Sequence, residues 1–449
     1  MLVLQLSKSS RADSALESFH RSCDYGYKLS SLSCNPLLNL LIKNGRIDDA
    51  ETVFKVMVRR KFAPNLITFI TVINGLCKAG KLRRAVDLVE DMKAWGVSPS
   101  VVTYNTLIDG YCKTGGAARM YKADLVLKEM VEAEVWPNVV TFNTLIDGYC
   151  KDENYAAAMR IFEEMRRQNV SPNVISYNSM ISGLCSEGKV EEALHMFEEM
   201  KVDGLLPNVV TYNAIVNGFC KKGMLVEAKT MFEETPDRNL VPNEVTYNTL
   251  IDGLCRLGKM EDAIEMKRVM IEKGVCANVS TYNCLILGFC RNKDMDGAKR
   301  ILDEMGEKGV KADFLTYNVL INALCKDGEV VKAVKLLDEM VEIGVRPTYV
   351  TYNTLIDGFC EKDNLRAAFN MRARMEKDGK QANVVMYNVL VKCLCRKDKL
   401  EEANSLLNEM LERGLVPNRV TYDIIKDEMT AKGYVPNIDG HLYNTACSS

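Results

Sequence analysis

One amide side chain recurs along this chain at nearly constant spacing. Asparagine stands in phrases such as "TYNTL" and "SYNSM", mostly 35 residues apart, with 38 residues between Asn105 and Asn143. An amide offers both a hydrogen-bond donor and an acceptor, so it suits recognition of a nucleobase edge. Asparagine inside a helix costs up to about 0.7 kcal/mol relative to alanine, so the repeated use of it indicates a compensating role. The series is Asn35, Asn105, Asn143, Asn178, Asn213, Asn248, Asn283, Asn318, Asn353 and Asn388.

A second series is cationic and lies eight residues after the asparagine position. One cation per repeat on the amide side would suit the phosphates of a nucleic acid. Two plainer interpretations stay open. The cations could serve only to stabilise helix ends through the helix dipole, and the asparagines could serve only to bond one repeat to the next. The cations are Lys43, Lys78, Lys113, Lys151, Lys221, Arg256, Arg291, Lys326 and Arg396.

Both series belong to one sequence repeat. With Val101 as position 1, the asparagine is at position 5 and the cation at position 13. Most repeats are 35 residues long, and the one from Val101 has three extra residues around "GGAARMYKAD". A fixed period of this size indicates a stacked array instead of separate globular domains. Repeats 1 to 11 begin at Ser31, Leu66, Val101, Val139, Val174, Val209, Glu244, Val279, Phe314, Tyr349 and Val384.

Each repeat predicts two amphipathic helices. Apolar residues recur at positions 4, 7, 8 and 11 and again at 17, 20, 21, 24 and 27, with alanine constant at position 20. "SEGK" and similar phrases separate the halves, and "GLLPN" or a relative of it ends the second helix. Positions 5, 9 and 13 share another side of the first helix. The predicted fold is all-α, with helical hairpins stacked into a solenoid.

The repeat register also predicts how the chain is organised. Residues 1–30 are predicted to be a partial repeat that supplies a second helix, with Met1 falling inside a first helix. Residues 31–418 hold eleven tandem repeats, residues 419–437 a shortened capping repeat, and residues 438–449 a polar tail.

The sulfur-containing residues are predicted to pack inside the array. Ten of the sixteen cysteines fall singly at position 12, without the short paired spacing of a zinc site. Methionine recurs at position 27, where inter-helix packing explains it. No metal or cofactor is predicted, and no apolar run approaches the roughly 18 residues that a membrane span needs. A formal charge of −2 neither favours nor excludes an anionic partner.

The phrase "VTYNTLIDGYCK", alanine at position 20, "EM" at positions 26 and 27 and the ending G-x-x-P-N resemble pentatricopeptide repeats of the P class. The resemblance spans nearly the whole chain. It implies a right-handed α-α superhelix that holds single-stranded RNA along its inner face, with one base read per repeat. It also implies base reading by position 5 together with the last residue of each repeat. Those last residues are Asn65, Asn138, Asn173, Asn208, Asn243, Asn278, Asp313, Thr348, Asn383 and Asn418.

The resemblance further implies that an apolar residue at position 2 sandwiches each base. These residues are Val102, Val140, Ile175, Val210, Val245, Leu315, Val350 and Val385. In the family's reading, two asparagines specify a pyrimidine, and Asn283 with Asp313 specifies U. The implied target is Y-N-Y-Y-Y-Y-Y-U-Y-Y-Y. The departures from the pattern are Ile70 with Ser100, which fits no reading pair, the ambiguous Asn318 with Thr348, Ser280 at position 2, and Ser186 and Glu361 in the cation series.

Together these features predict a sequence-selective RNA-binding protein without catalysis, monomeric on RNA and not associated with a membrane. The resemblance places it in a mitochondrion or chloroplast, in RNA stabilisation, processing, splicing or translation, with other RNA-processing proteins as further partners. No targeting segment is visible. The alternative is a helical-repeat scaffold for protein–protein interaction, which leaves the asparagine and cation series unexplained. A deaminase is disfavoured because no H-x-E with P-C-x-x-C follows the array.

Overall fold

The computed structural model describes residues 2–237 and 240–424, and within these ranges the chain forms helices and no strands. The chain divides into two compact units, Met1–Val241 and Pro242–Ser449, which we call the N-terminal and C-terminal bodies. In each body a helix packs against its partner in the same repeat, and the first helices of neighbouring repeats pack on one another.

The helices of the N-terminal body are α1 (Leu2–Lys8), α2 (Ala12–Asp24), α3 (Ser31–Lys43), α4 (Ile47–Arg59), α5 (Leu66–Lys78), α6 (Leu82–Ala94), α7 (Val101–Thr114), α8 (Ala117–Glu132), α9 (Val139–Lys151), α10 (Tyr155–Arg167), α11 (Val174–Glu187), α12 (Val190–Val202), α13 (Val209–Lys222) and α14 (Leu225–Asp237). Those of the C-terminal body are α15 (Glu244–Arg256), α16 (Met260–Glu272), α17 (Val279–Arg291), α18 (Met295–Glu307), α19 (Phe314–Lys326), α20 (Val330–Glu342), α21 (Tyr349–Glu361), α22 (Leu365–Lys377), α23 (Val384–Arg396), α24 (Leu400–Glu412) and α25 (Arg419–Ile424).

The first helix of each repeat therefore begins at position 1. Residues 1–30 contain α1 and α2, and Ala15 of α2 is fully buried. The predicted capping repeat of residues 419–437 is described only through α25, and the predicted tail of residues 438–449 lies outside the described residues. The right-handed superhelix stays a prediction.

Glycine ends the second helices where the sequence predicts it. In repeat 5, α12 ends at Val202, and Gly204 takes a φ of +76° that other residues rarely adopt. The backbone N–H of Leu205 then bonds to the carbonyl of Met200 at 3.0 Å, which satisfies one of the free carbonyls at the helix end. The chain is turned back toward the next first helix.

The predicted core positions are buried. Alanine at position 20 is at most 1% exposed, and methionine at position 27 is fully buried in every repeat where the structure describes it. The packing role predicted for the methionines is thus confirmed. The position-20 alanines are Ala50, Ala85, Ala123, Ala158, Ala193, Ala228, Ala263, Ala298, Ala333, Ala368 and Ala403. Their small side chains let the two helices of a hairpin lie close together.

The structure corrects the prediction that position 24 is apolar in the core. Repeats 7 and 10 place Lys267 and Arg372 there, and both are buried in spite of their charge. The Lys267 ammonium lies 2.6 Å from the Glu304 carboxylate, and the Arg372 guanidinium pairs with Glu409. A charge can occupy this core position because the next second helix supplies the opposite charge.

Six of the position-12 cysteines pack against glycine at position 10 of the next repeat. A Cβ added to Gly183 would lie 2.6 Å from Cys150 Sγ, and one added to Gly218 would lie 2.6 Å from Cys185 Sγ. Burial raises the pKa of the Cys185 thiol to about 12, so the thiol is neutral at physiological pH. These cysteines are therefore small packing groups, as predicted, and the glycines allow the first helices to approach closely.

Candidate nucleic-acid interface

Among the described residues, seven of the ten position-5 asparagines make two hydrogen bonds that join neighbouring helices. In repeat 4, Asn143 Nδ2 donates to Asn173 Oδ1 at 3.2 Å, and Asn143 Oδ1 accepts from Ser176 Oγ at 2.6 Å. Asn173 is the last residue of the same repeat, and Ser176 is at position 3 of the next one. We call such a set of three side chains an amide cluster. The same Nδ2 bond is made by Asn35, Asn105, Asn178, Asn283, Asn318, Asn353 and Asn388.

The bonding of one repeat to the next, which the sequence left open, is thus part of the structure. These bonds leave part of the hydrogen-bonding capacity of the asparagine side chain unused. A carboxamide has two N–H donors and two lone pairs on its oxygen, and the two bonds of Asn143 engage one of each. The remaining donor and lone pair can serve a bound base while the contact between repeats persists.

The last residue of each repeat has a structural role that sequence reasoning missed. Asn173 is the N-cap of α11, and its Oδ1 accepts from the backbone N–H groups of Ile175 at 3.0 Å and Ser176 at 3.1 Å. Ser176 Oγ accepts in return from the Asn173 backbone N–H at 3.1 Å, which completes a capping box. The sequence signal was present as Asn-x-x-Thr/Ser across repeat boundaries. Since capping engages the oxygen, the N-cap asparagine has its Nδ2 donors left to offer.

Asp313 presents the opposite chemistry at the same place. It is the N-cap of α19 and accepts from the Thr316 backbone N–H at 2.9 Å and from Asn283 Nδ2 at 3.3 Å. Burial raises the pKa of Asp313, but the hydrogen bonds from Thr316 and Asn283 outweigh burial and hold the pKa below its usual value. The ionised carboxylate only accepts hydrogen bonds.

The residues predicted to sandwich bases are apolar side chains left in solvent. They are between 51% and 61% exposed, although most other apolar residues of the same helices are buried. Exposed aliphatic groups at one regular position indicate a surface for a flat apolar partner. Leu32, Ile67 and Val420 stand at the same position in their repeats and are also exposed, and the sequence prediction omitted them. Ser280, the polar departure, is exposed as well.

All nine cations predicted at position 13 are exposed. In two places the structure shows position-13 side chains of consecutive repeats in contact. Lys221 Nζ lies 3.5 Å from Ser186 Oγ, and Arg396 Nη1 lies 2.7 Å from Glu361 Oε1. These contacts show that position 13 forms a row from one repeat to the next within each body.

Carboxylates at position 9 neutralise part of this row. Lys113 lies 2.6 Å from Asp109, Lys151 lies 2.5 Å from Asp147, and Arg256 lies 2.6 Å from Asp252. Exposed ion pairs of this kind contribute only about 0–1 kcal/mol, so a phosphate can compete for the cation. Lys43, Lys78 and Lys326 have no ion-pair partner among the described residues. The dipole interpretation of these cations stays open beside the phosphate one.

One cavity of about 760 Å³ brings the three predicted kinds of site residue together. It lies on the first-helix side of repeats 4 to 6, in the N-terminal body. Its volume is in the range of pockets that bind small organic molecules. The predicted reading, sandwiching and phosphate-binding residues in its lining are Asn178, Asn208, Ile175, Val210, Lys151 and Lys221.

Within residues 2–237 and 240–424, no group of three or more His, Cys, Asp or Glu side chains is arranged to hold a metal ion. Among the helices described, none combines the length and the apolar character needed to cross a membrane.

Fold and site together define a helical-repeat protein that presents amides, aliphatic side chains and cations along its first helices. The chain belongs to the PPR (pentatricopeptide repeat) family. The PPR repeat family matches residues 29–78, 64–113, 137–186, 172–221, 207–256, 242–285, 277–326, 313–361, 347–384 and 382–429, and the PPR repeat matches residues 102–135.

Solved structures similar to this chain include the pentatricopeptide repeat protein PPR10 from maize, at 23% identity and a TM-score of 0.46, covering 99% of this chain and 83% of that one. PPR10 in complex with an 18-nt psaJ RNA element matches at 22% identity and a TM-score of 0.41, over 95% of this chain and 81% of that one. The PPR domain of Arabidopsis thaliana protein-only RNase P 1 in complex with tRNA matches at 17% identity and a TM-score of 0.34, over 40% of this chain and 94% of that one. No curated protein matches the chain.

Proposed function

We propose that this protein binds single-stranded RNA sequence-selectively, reads one nucleotide per repeat and performs no chemistry of its own. The observation that carries the proposal is one cavity lined by both reading residues of repeat 5, by two sandwiching residues and by two cations, namely Asn178, Asn208, Ile175, Val210, Lys151 and Lys221. A base needs an apolar contact for its face and hydrogen bonds for its edge, and its backbone needs cations. The cavity offers all three.

The amide clusters support reading of base edges. The N-cap asparagine offers Nδ2 donors, and the position-5 asparagine retains one donor and one lone pair beside its internal bonds. Such a pair can bond to pyrimidine O2 and N3 without rearranging the contact between repeats. By the family's code, most repeats of this chain read C or U.

Repeat 8 is proposed to select U. Asp313 replaces the N-cap asparagine there, and its lowered pKa keeps the carboxylate ionised at physiological pH. Uracil carries a proton on N3 where cytosine carries a lone pair, so an acceptor favours uracil and repels cytosine. The proposed target is Y-N-Y-Y-Y-Y-Y-U-Y-Y-Y, read from its 5′ end by repeat 1.

Family membership supports a place for this chain in mitochondrial or chloroplast RNA metabolism. Bound without catalysis, the protein would protect, remodel or mask a transcript segment during stabilisation, processing, splicing or translation. Other RNA-processing proteins would act on the bound transcript. We propose that the protein binds as a monomer, since one array offers a reading pair in nearly every repeat.

The first test measures affinity for oligonucleotides of C, U and A over a range of salt concentrations. Pyrimidine RNA should bind tighter than oligo-A, and the log–log salt slope should approach but not exceed roughly −6, from about −0.7 for each of nine phosphate contacts. Equal affinity for oligo-C and oligo-A, or a slope near zero, would overturn the proposal and favour a protein-binding scaffold.

A matched pair of variants tests whether the position-13 row is the phosphate contact. Changing Lys43, Lys78 and Lys326 to Gln should make the slope shallower by roughly 2, because three contacts are lost. The control changes Lys55, Lys128 and Arg268 to Gln, which removes the same charge from exposed sites on second helices. Equal effects of the two triple variants would show that only net charge matters.

The third test changes one reading residue. Asn143→Thr leaves Asn173 in place and creates the pair that the family reads as A. The preference of repeat 4 should move from pyrimidine to A at one nucleotide, with the other positions unchanged, as measured by selection from a random RNA pool. A uniform loss across all sequences would mean that Asn143 serves only to join repeats.

A further inference from the structure

A hydroxyl group at position 3 follows nearly every reading asparagine. Its oxygen lies 2.6 to 2.7 Å from the Oδ1 of the preceding repeat's asparagine in seven amide clusters. The residue is usually threonine, but Ser176 makes the same bond, so the hydroxyl and not the methyl group is the common feature. The donors are Thr68, Thr141, Ser176, Thr211, Thr316, Thr351 and Thr421, each at most 1% exposed.

The direction of this bond is determined by its surroundings. In repeat 5, the Asn208 backbone N–H donates to Thr211 Oγ1 at 3.1 Å, so the hydroxyl proton is free to point at Asn178 Oδ1, 2.6 Å away. On the other side, Asn178 Nδ2 donates to Asn208 Oδ1 at 3.2 Å. A donor holds the amide oxygen and an acceptor holds the nitrogen. A flipped amide would place two oxygens against each other, so the cluster determines which edge faces a base.

Repeat 10 lacks the hydroxyl. Met386 stands where the other clusters have threonine or serine, and Asn353 Oδ1 is buried without a hydrogen-bond partner. The bond from Asn353 Nδ2 to Asn383 Oδ1 is 3.5 Å long, against 3.2 to 3.4 Å for the corresponding bond in the seven clusters that have the hydroxyl. The capping box of α23 is also incomplete, because only the Met386 backbone N–H reaches Asn383. Asn353 is therefore held by one long bond instead of two.

The presence of a hydroxyl residue at position 3 does not by itself give every position-5 asparagine oxygen a partner. Asn248 Oδ1 also lacks a partner although Thr281 follows, and there the Glu244 carboxylate accepts from Asn278 Nδ2 at 2.6 Å. The oxygen of Asn213, the last such amide of the N-terminal body, is unpartnered too. Repeat 10 remains the described case in which the hydroxyl itself is missing while both asparagines are present.

We propose that the threonine or serine at position 3 is a positioning residue, whose hydroxyl orients the reading amide of the preceding repeat. Repeat 10 then reads its nucleotide with lower selectivity, because Met386 has no hydroxyl. The inference rests on the proposed RNA-binding function. One hydrogen bond between neutral groups corresponds to roughly a fivefold preference, so this is the expected size of the gain or loss in base selectivity.

The experiment compares Met386→Thr with Met386→Val in the full chain. The two variants have nearly the same shape and differ by the hydroxyl. Binding is measured to four RNAs that differ only at the nucleotide facing repeat 10, and to four that differ at the nucleotide facing repeat 5. Met386→Thr should raise selectivity at the repeat-10 nucleotide about fivefold over Met386→Val, with no change at the repeat-5 nucleotide.

The reciprocal variants are made at Thr211. Thr211→Val should lower selectivity at the repeat-5 nucleotide by about the same factor, and Thr211→Ser should retain it, as Ser176 suggests. Thermal unfolding is measured in parallel, because a purely structural role would change stability and overall affinity but not the order of bases at one position. RNA bound with unchanged base preference in all four variants would overturn this inference alone. Absence of RNA binding by the unmodified protein would overturn the proposed function as well.

Discussion

First helices and second helices contact their neighbours by different means. Between first helices, glycine at position 10 lies against a cysteine, and hydrogen-bonded amide clusters span the boundary, as for Gly183 with Cys150 and Asn143 with Ser176. Between second helices, charged side chains pair, as in Lys267 with Glu304. At these points the first helices meet through close packing and hydrogen bonds between neutral groups, and the second helices meet through an ion pair.

First and second helices also differ in how their N-termini are capped. The first helix α11 has a complete capping box from Asn173, whereas the N-cap of the second helix α12 is Lys189, which makes no side-chain cap bond. Second helices α10, α18 and α22 are capped by Asn154, Asp294 and Asn364, so capping varies among them. The comparison explains why the chain repeats "VTYNTLIDGYC" so closely. Nearly every position of that phrase meets a packing or hydrogen-bonding requirement, and the second helix leaves more choices open.

A matched pair of glycine substitutions tests this difference between first and second helices most strongly. Gly183→Ala places a methyl group 2.6 Å from Cys150 Sγ and should lower the free energy of unfolding by about 3 kcal/mol. Gly306→Ala adds the same methyl in second helix α18, where nothing lies within 4 Å, and should be neutral or slightly stabilising. Urea unfolding followed by circular dichroism measures both. Similar costs at the two sites would contradict the close approach of first helices.

Removing one partner of a second-helix ion pair should have the next largest effect. Glu304→Gln leaves the buried Lys267 ammonium without its counter-charge and should cost about 2 kcal/mol. Lys267→Met should be nearly neutral, because it restores the apolar residue that position 24 usually has. Glu265→Gln, which breaks an exposed pair with Arg268, is the control and should leave stability unchanged. A stable Glu304→Gln variant would show that the pair is not needed.

Loss of an N-cap should cost less. Asn138→Ala removes the side chain that accepts from the Val140 and Thr141 backbone N–H groups and should lower stability by about 1 kcal/mol. Lys189→Ala at the start of a second helix removes no cap bond, only an exposed ion pair with Glu187, and should change stability little. The comparison would fail if thermal unfolding moved by the same amount in both variants.

The smallest expected effect is a pH dependence at Asp313. Its pKa is lowered in the folded protein, so its contribution to stability is fully present above the unfolded value of about 4 and is lost as pH falls toward the folded pKa. Asp313→Asn keeps the cap but cannot titrate. The stability of the native protein relative to this variant should decrease between about pH 5 and pH 3 when the melting temperatures of both are followed. A constant difference would mean that Asp313 titrates normally.

Much of the fold could be predicted from the sequence because its determinants are local. A 3.6-residue apolar period, glycine and proline at helix ends and a 35-residue recurrence identify paired helices, and the buried alanines and methionines agree with that pattern. The candidate site was predictable as a set of recurring residues. The capping role of Asn173 could also have been predicted, since Asn-x-x-Ser is a local signal.

Position 24 shows where the pattern alone was insufficient. Lys267 and Arg372 occupy a core position because Glu304 and Glu409, 37 residues later, lie within ion-pairing distance. No local period reveals such a pair. The partner becomes evident only when the second helices of adjacent repeats are placed side by side.

The sequence by itself determined the all-α repeat array, its register and the types of side chain offered once per repeat. Only the tertiary structure decided how those side chains are bonded: that Asn143 joins Asn173 and Ser176, and that Asn353 beside Met386 does not have a second partner. The reason is physical. Helix formation depends on residues a few positions apart, whereas these hydrogen bonds depend on the distance and rotation between helices of successive repeats, which tight packing of whole side chains sets.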